Sequence, residues 1–492
     1  MDGSRRFNLK YGAAAACMLL AGCAVGPDFH SPEAPKDTRY TERALPDSTA
    51  SAAGRAQHFS YNADIPQQWW ALFHSAKLDK LVKDALAGSP NLVAARATLR
   101  QAQEDLAAEQ GYEFPSVSLA PSAERQRFSP AVFGGSGPPS IFNLYNASVK
   151  ISYGIDVFGG LRRQIESQRA QVEYEGYQYQ GAVLALTANV VTAAVTEASL
   201  AEQVDAARAI IAAEEKQVRI VDNQLKLGAV PRSALLLQKS QLDQARASLP
   251  PLEKQLSQIR HQLAVYMGKT PQEEDLPEIR LTDLHLPENL PVSLPSRLAR
   301  QRPDIRAAEA MLHQASANVG VATANLYPQI TLSANIGSMA VSTGGLFSNK
   351  TEIWNFTGGL TQPIFNGGTL RAQKRAAVAA FDKAFAQYRQ TLLQSFQNVA
   401  DVLKALESDA STLQADQDAQ ISAKDALDIT RKQFELGAAS YLSLLAADRQ
   451  YQQSRVAVIQ AKASRLADTA ALFQAMGGGW WNNSKNGEVS DD

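Results

Sequence analysis

The side chains able to do chemistry are few, and they are badly placed for catalysis. The six histidines stand at 30, 58, 74, 261, 285 and 313, without the close spacings by which imidazoles and thiolates share a metal. No glycine-rich phosphate loop and no nucleophile motif occurs. The Gly-Gly pairs at 159–160, 344–345, 358–359 and 367–368 fall where strands end and the chain turns. This inventory argues against an enzyme and calls for no cofactor and no catalytic or metal-binding residue. Charge is balanced, with 48 basic and 49 acidic residues, so nothing marks nucleic acid as a partner. What remains is thiol chemistry, at Cys17 and Cys23.

Cys23 has the right neighbours for lipidation. Arg5, Arg6 and Lys10 form a basic stretch, and Ala13 to Leu20 an apolar one too short to span a membrane in a mature protein. Leu20-Ala21-Gly22-Cys23 follows and resembles the lipobox of bacterial lipoproteins. The resemblance implies removal of residues 1–22 and acylation of Cys23, with Ala24 favouring sorting to the outer membrane. Cys17 leaves with the signal, so the mature chain holds one thiol and no disulfide. Beyond the first 25 residues no apolar run approaches the ~18 of a membrane-spanning helix. Barrel strands leave a far weaker hydropathy signal and escape that test.

The elements that position these residues are written twice. Ser89-Pro90-Asn91-Leu92 returns as Arg302-Pro303-Asp304-Ile305, and Phe114-Pro115 as Tyr327-Pro328, both at an offset of 213 residues. From Leu161, matched by Leu370, the offset becomes 209 and pairs Leu227-Gly228-Ala229 with Leu436-Gly437-Ala438 and Met267-Gly268 with Met476-Gly477. Register kept over a hundred residues is a duplication. Each copy opens with a helix-like segment, Pro90 to about Gln110 and Pro303 to about Asn325. Proline suits the first turn. Two alternating stretches follow. In Asn143–Val157, Tyr145, Val149, Ile151, Tyr153 and Ile155 alternate with Asn146, Ser148, Lys150, Ser152 and Gly154. Val117 and Leu119, then Ile330, Leu332 and Ile336, then Trp354, Phe356 and Leu360 alternate in the same way.

Each copy then runs without proline for 67 residues, Leu161 to Leu227 and Leu370 to Leu436, about 100 Å as straight helix. Gly228 and Gly437 interrupt, Pro231 and Ser440 restart, and return helices cover about 232–266 and 441–475. Pro250-Pro251 is expected to break or kink the first of these. Residues 30–66 and 482–492 are polar and irregular.

Four strands cannot close a barrel, and open edges do not survive in lipid. Closure therefore demands several chains. Two would give eight strands with a filled interior, and three would give twelve with room for water.

Several motifs in this order resemble the outer membrane factor family of TolC-type and OprM-type channels, closest to its lipoprotein (NodT-like) branch. They are Cys23-Ala24-Val25-Gly26-Pro27-Asp28-Phe29, Gln68-Trp69-Trp70-Ala71-Leu72-Phe73, Ser89-Pro90-Asn91-Leu92, Asp156-Val157-Phe158-Gly159-Gly160, Asn325-Leu326-Tyr327-Pro328, Phe434-Glu435-Leu436-Gly437-Ala438-Ala439-Ser440-Tyr441-Leu442 and Met476-Gly477-Gly478-Gly479-Trp480. The resemblance covers about 23–481. It implies a mainly α chain with a β-barrel: a trimeric twelve-stranded transmembrane barrel, four strands per chain, continued by a long periplasmic α-helical barrel and an equatorial belt from about 67–88, 265–302 and 474–481.

The domains expected are the signal 1–22, a lipid-anchored segment 23–66, a first repeat 67–302 with strands about 114–158 and hairpin 161–267, and a second repeat 303–481 with strands about 327–365 and hairpin 370–476. A disordered tail, 482–492, ends the chain. The implied function is efflux of drugs or small solutes through the outer membrane, as a homotrimer with a periplasmic adaptor and an inner-membrane pump of the RND type. A TolC-like duct for protein secretion is the rival within the family, and a structural periplasmic coiled-coil tether the rival outside it. A tether gives no reason for four alternating strands.

The hairpin tips, Gly228, Ala229, Arg232, Ser233, Gly437, Ala438 and Ser440, are implied to touch the adaptor. Leu442, Leu445, Asp448 and Arg449 are the implied periplasmic gate. The family's acidic gate position is Ala446 here. Asp448 lies two residues on, about 200° around the helix, so it does not simply replace that acid. Arg449 matches a basic position that pairs across subunits. Trp69-Trp70 is expected to dock the N-terminal segment on the belt.

Overall fold

The alternating stretches pair as their apolar periods require. The computed structural model describes residues 24–52, 54–272 and 276–485. The signal, Cys23 and the last seven residues lie outside it. By chain contacts the protein divides into two compact units, each drawing on both copies of the duplication.

The first unit comprises the described part of Met1–Pro32 with Thr98–Glu175 and Ala308–Tyr388. It holds most of helices α2 (Pro90–Gly111) and α6 (Pro303–Ala324) and a four-stranded antiparallel sheet. The strands are β2 (Ser116–Phe128), β3 (Ser140–Ile155), β5 (Gln329–Ala340) and β6 (Glu352–Thr361), in that spatial order. Register puts Leu119, Val149, Ile336 and Trp354 in one row across all four strands, and Val117, Ile151, Ala334 and Phe356 in the next. Between them on the opposite face runs Ser118, Lys150, Asn335 and Asn355. The apolar face points outward, with Leu119 73 % and Trp354 75 % exposed, whereas Ser148 on the polar side is buried. A soluble sandwich buries the apolar face; here the inversion suits lipid outside and water inside.

The second unit comprises Glu33–Ala97, Gly176–Ala307 and Arg389–Asp492. Its core is built around the long helices α3 (Gly160–Lys226), α4 (Arg232–Tyr266), α7 (Thr369–Glu435) and α8 (Tyr441–Ala475). Contrary to the hydropathy expectation, α3 contains an 18-residue window apolar enough to cross a membrane, but 61 % of that window is buried. Leu186, Val190, Val191, Ala194, Val195 and Ala198 instead meet Val399, Leu403 and Leu406 in the core. Small α1 (Ala76–Gly88) packs here with Trp69, Phe73 and Phe473, Trp69 stacking on Phe473 at 5.3 Å. The tryptophan pair lies in the core, where Phe59 and Ile65 of the N-terminal segment pack in the same cluster, as expected.

Three further expectations are corrected. The segment 30–66 is not wholly irregular. β1 (His58–Tyr61) pairs in parallel with β4 (Asn289–Val292), and α5 (Pro295–Gln301) follows β4. Second, α4 runs through Pro250-Pro251 without a break. The prolines delete the N–H groups that would bond the carbonyls of Arg246 and Ala247. Those residues are exposed, so water can take the bonds. Third, order extends into the expected tail: Trp480–Lys485 forms a 3-10 turn, and Asn482 donates to the Ile65 carbonyl at 2.6 Å.

Candidate functional site at the hairpin tips

Both hairpins turn by the same device. In the first, the Gly228 N–H bonds the Leu225 carbonyl at 3.0 Å and the Ala229 N–H bonds the Gln224 carbonyl at 2.9 Å. Gly437 and Ala438 make the equivalent bonds to Phe434 and Gln433 at 3.0 and 2.7 Å. This double closure needs a left-handed residue at the glycine, and both glycines sit at φ 75°. Ser440 then caps α8 by accepting the Ser443 N–H at 3.1 Å. Gly228, Ala229, Arg232, Ser233, Gly437, Ala438 and Ser440 are all exposed. Leu227 and Leu436, each 84 % exposed, crown the two turns.

The gate candidates divide into two faces of α8. Leu442 and Arg449, seven residues apart and so nearly eclipsed, are both exposed. Leu445 and Asp448 turn the other way. They line a cavity of about 90 Å³ with Ala213, Glu214 and Gln217 of α3, Leu427 and Arg431 of α7, and Leu444. Glu214 is buried, and the fully buried Gln238 of α4 donates its amide to it. Burial raises the Asp448 carboxyl above its ordinary range against the pull of Arg431 and Arg455. Burial, and then the charge of Asp448, raises Glu214 likewise. The acid displaced from the family's gate position therefore faces neighbouring helices of its own chain, not the face carrying Leu442.

Sequence reasoning did not find Glu214, Gln238 or Arg431. Glu214 and Gln238 look like ordinary polar residues of a long helix, and only the packing of four helices brings them to Asp448.

At the other unit, the segment after Cys23 is docked residue by residue. The Val25 N–H bonds the Phe158 carbonyl at 3.1 Å. Arg163, nearly buried, donates to Asp28 at 2.6 Å and to Glu166 at 2.7 Å. Glu166 also holds His313 at 2.9 Å, and the Phe29 ring stacks on His313 at 4.4 Å. Gly26 lies so close to the backbone of Gly320 that a Cβ there would overlap it.

Comparison with known proteins fits this geometry. The chain matches the outer membrane efflux protein family twice, over residues 81–269 and 294–478, once per copy of the duplication. It is 30 % identical to the pyoverdine export outer membrane protein OpmQ of Pseudomonas aeruginosa, over 94 % of this chain and 96 % of that one. It is 28 % identical to the probable efflux pump outer membrane protein TtgC of Pseudomonas putida, over 96 % of each. The outer-membrane channel OprN superposes with a TM-score of 0.84 at 26 % identity, covering 93 % of this chain and all of that one. The open-state MtrE channel of Neisseria gonorrhoeae gives 0.80 at 26 % identity, covering 93 % and 98 %. The fold is that of these channels, with a trimeric twelve-stranded barrel, a long α-helical barrel and an equatorial belt. The chain belongs to the outer membrane efflux protein family, as the outer-membrane channel of a tripartite system in which a trimer works with a periplasmic adaptor and an inner-membrane pump.

Proposed function

We propose that this channel conducts drugs or other small solutes passively, handed to it by an RND-type pump, and catalyses no reaction. The exposed Leu442–Arg449 face of α8 carries the reading. A leucine 66 % exposed in the chain, one turn from the hairpin bend, has its place where three copies meet and closes the path there. Arg449, two turns along the same face, pairs across subunits. Leu445 and Asp448 support that face from behind. The tip residues of both hairpins, free of contacts that would cover them, receive the adaptor. Acylation of Cys23 anchors the chain, and the docking of Val25 and Asp28 supports this by fixing the residues that follow the anchor. Residues 1–22 serve as the cleaved signal, and 67–302 and 303–481 as the duplicated units.

The test is conductance of the purified mature trimer in planar bilayers, with its mass in detergent measured alongside. A small resting conductance, raised by Leu442→Ala, is expected. A large resting conductance indifferent to that change would overturn the gate.

A further inference from the structure

The duplication supplies an internal control for every hairpin contact. α3 and α7 are both 67 residues long, α4 and α8 both 35, and the offset of 209 holds along them. The copies differ in chemical kind at several positions, one facing pair among them. Where the first hairpin sets Leu200 of α3 and Ile259 of α4, the second sets Asp409 of α7 and Asp468 of α8. The Asp409 carboxyl lies within hydrogen-bond reach of Asp468. Its Oδ2 is buried and finds no N–H or hydroxyl donor. Two carboxylates meet so closely only when one proton lies between them.

One turn before Asp468 stands Arg465, 2 % exposed. It spends its hydrogen bonds on neutral acceptors of the N-terminal segment: Gln57 Oε1 at 3.1 Å, Thr49 Oγ1 at 3.3 Å and the carbonyls of Ala52 and Arg55 at 3.4 and 3.2 Å. Asp409 is the anion that acts on this buried cation. A pair sharing one proton carries a single negative charge and balances Arg465. A doubly ionised pair does not.

We propose that Asp409 and Asp468 form a proton-operated catch: sharing a proton, they join the two helices of the second hairpin and balance Arg465, and losing it they part, loosening the hairpin and the N-terminal strap at residues 49–57. Other charged or titratable groups stand nearby. Lys404 of α7 is paired with Glu407 at 3.0 Å. Arg55 offers Arg465 its carbonyl. Glu202 of α3, Lys462 of α8 and His285 of the loop before β4 line a cavity of about 340 Å³ together with Arg465. Burial first, then Asp468, pushes Asp409 up to about 7. A carboxyl raised in the folded state contributes stability that is complete below the ordinary carboxylate range and is lost as pH rises through about 7. The catch acts on the hairpin whose turn carries Leu442, so conductance inherits the pH response if the gate assigned above is correct.

Hydrogen exchange of the intact trimer, corrected for the intrinsic pH dependence of exchange, tests the catch without reference to conductance. Peptides covering 49–57, 402–413 and 461–472 should exchange faster as pH rises towards about 7, by up to about tenfold per unit, and level off above it. The equivalent first-hairpin peptides, 193–204 and 252–263, should not. The double variant Asp409→Leu/Asp468→Ile, which writes the first copy's residues into the second, should abolish the response. A flat profile in the native trimer, or a response that survives the double variant, overturns the proposal. Should that variant fail to assemble, the infrared band of a protonated carboxyl in the native trimer decides. Its loss between about pH 6 and 8 supports the catch, and its absence at pH 6 refutes it.

Discussion

Glu214 and Asp448, from opposite copies of the duplicated chain, face the same small cavity between α3, α7 and α8. Both carboxyls are raised, chiefly by burial. The stability they give is therefore greatest in acid and falls as pH rises through their shifted range. Glu214→Gln keeps an acceptor for Gln238 and removes one buried charge. Thermal unfolding of the trimer should show a higher midpoint for the variant at pH 8, with the difference shrinking towards pH 5. An equal difference at both values would mean that the charge is not what matters there.

Arg163 ties the N-terminal segment to the helix and should act without regard to neutral pH. It holds the Asp28 carboxyl below the ordinary range, so protonation reaches that contact only in strong acid. Arg163→Ala removes a cation bridging two carboxylates and should loosen the docking of the N-terminal segment. Limited proteolysis should then cut around residues 24–32 in assembled trimers at pH 6 and 8 alike. Protection as in the native chain would show that Val25 and Gly26 suffice.

Two tryptophans invert the usual expectation for burial. Trp69, 1 % exposed, stacks on Phe473 in the core, and Trp69→Ala should cost about 3–5 kcal/mol and lower the yield of trimer. Trp354, 75 % exposed, belongs to the outward apolar row. Trp354→Ala should leave detergent-solubilised stability nearly unchanged. Trp354→Arg should cost about 2–4 kcal/mol when measured in bilayers, if the residue sits near mid-depth.

Gly437 has open space around the position of a Cβ, so its requirement is conformational alone. At φ 75°, Gly437→Ala should cost about 1–2 kcal/mol, and Gly437→Val more, because a branched side chain resists the left-handed region. Exchange rates of the tip amides should report this while those of the belt remain unchanged.

How far the sequence revealed this molecule depended on the range of the cause. Helix starts at Pro90 and Pro303, the turns at Gly228 and Gly437 and the alternation of Tyr145 to Ile155 are dictated by neighbours in the chain, and they stand where expected. The pairing of β1 with β4 escaped notice because four residues, one of them Pro291, give no period, and the partners lie some 230 residues apart. Pro250-Pro251 was expected to break or kink a helix that solvent access lets continue unbroken. Asp448 was seen as a residue out of place, but which helix it faces depends on four helices packing together. The Asp409–Asp468 contrast was written in the duplication all along, as two acids where the other copy has Leu200 and Ile259.

β2 and β6 form the two edges of the sheet, and this has a consequence for inheritance. Each edge must find a different edge on the next molecule, so the ring closes head to tail, and one faulty strand leaves a seam open to lipid. A cell making equal amounts of intact and edge-damaged chains that mix freely would assemble only about one wholly intact ring in eight. Lesions at either edge should therefore be dominant, sensitising a cell that still carries a good copy, whereas a lesion that keeps the chain from entering the ring should be recessive.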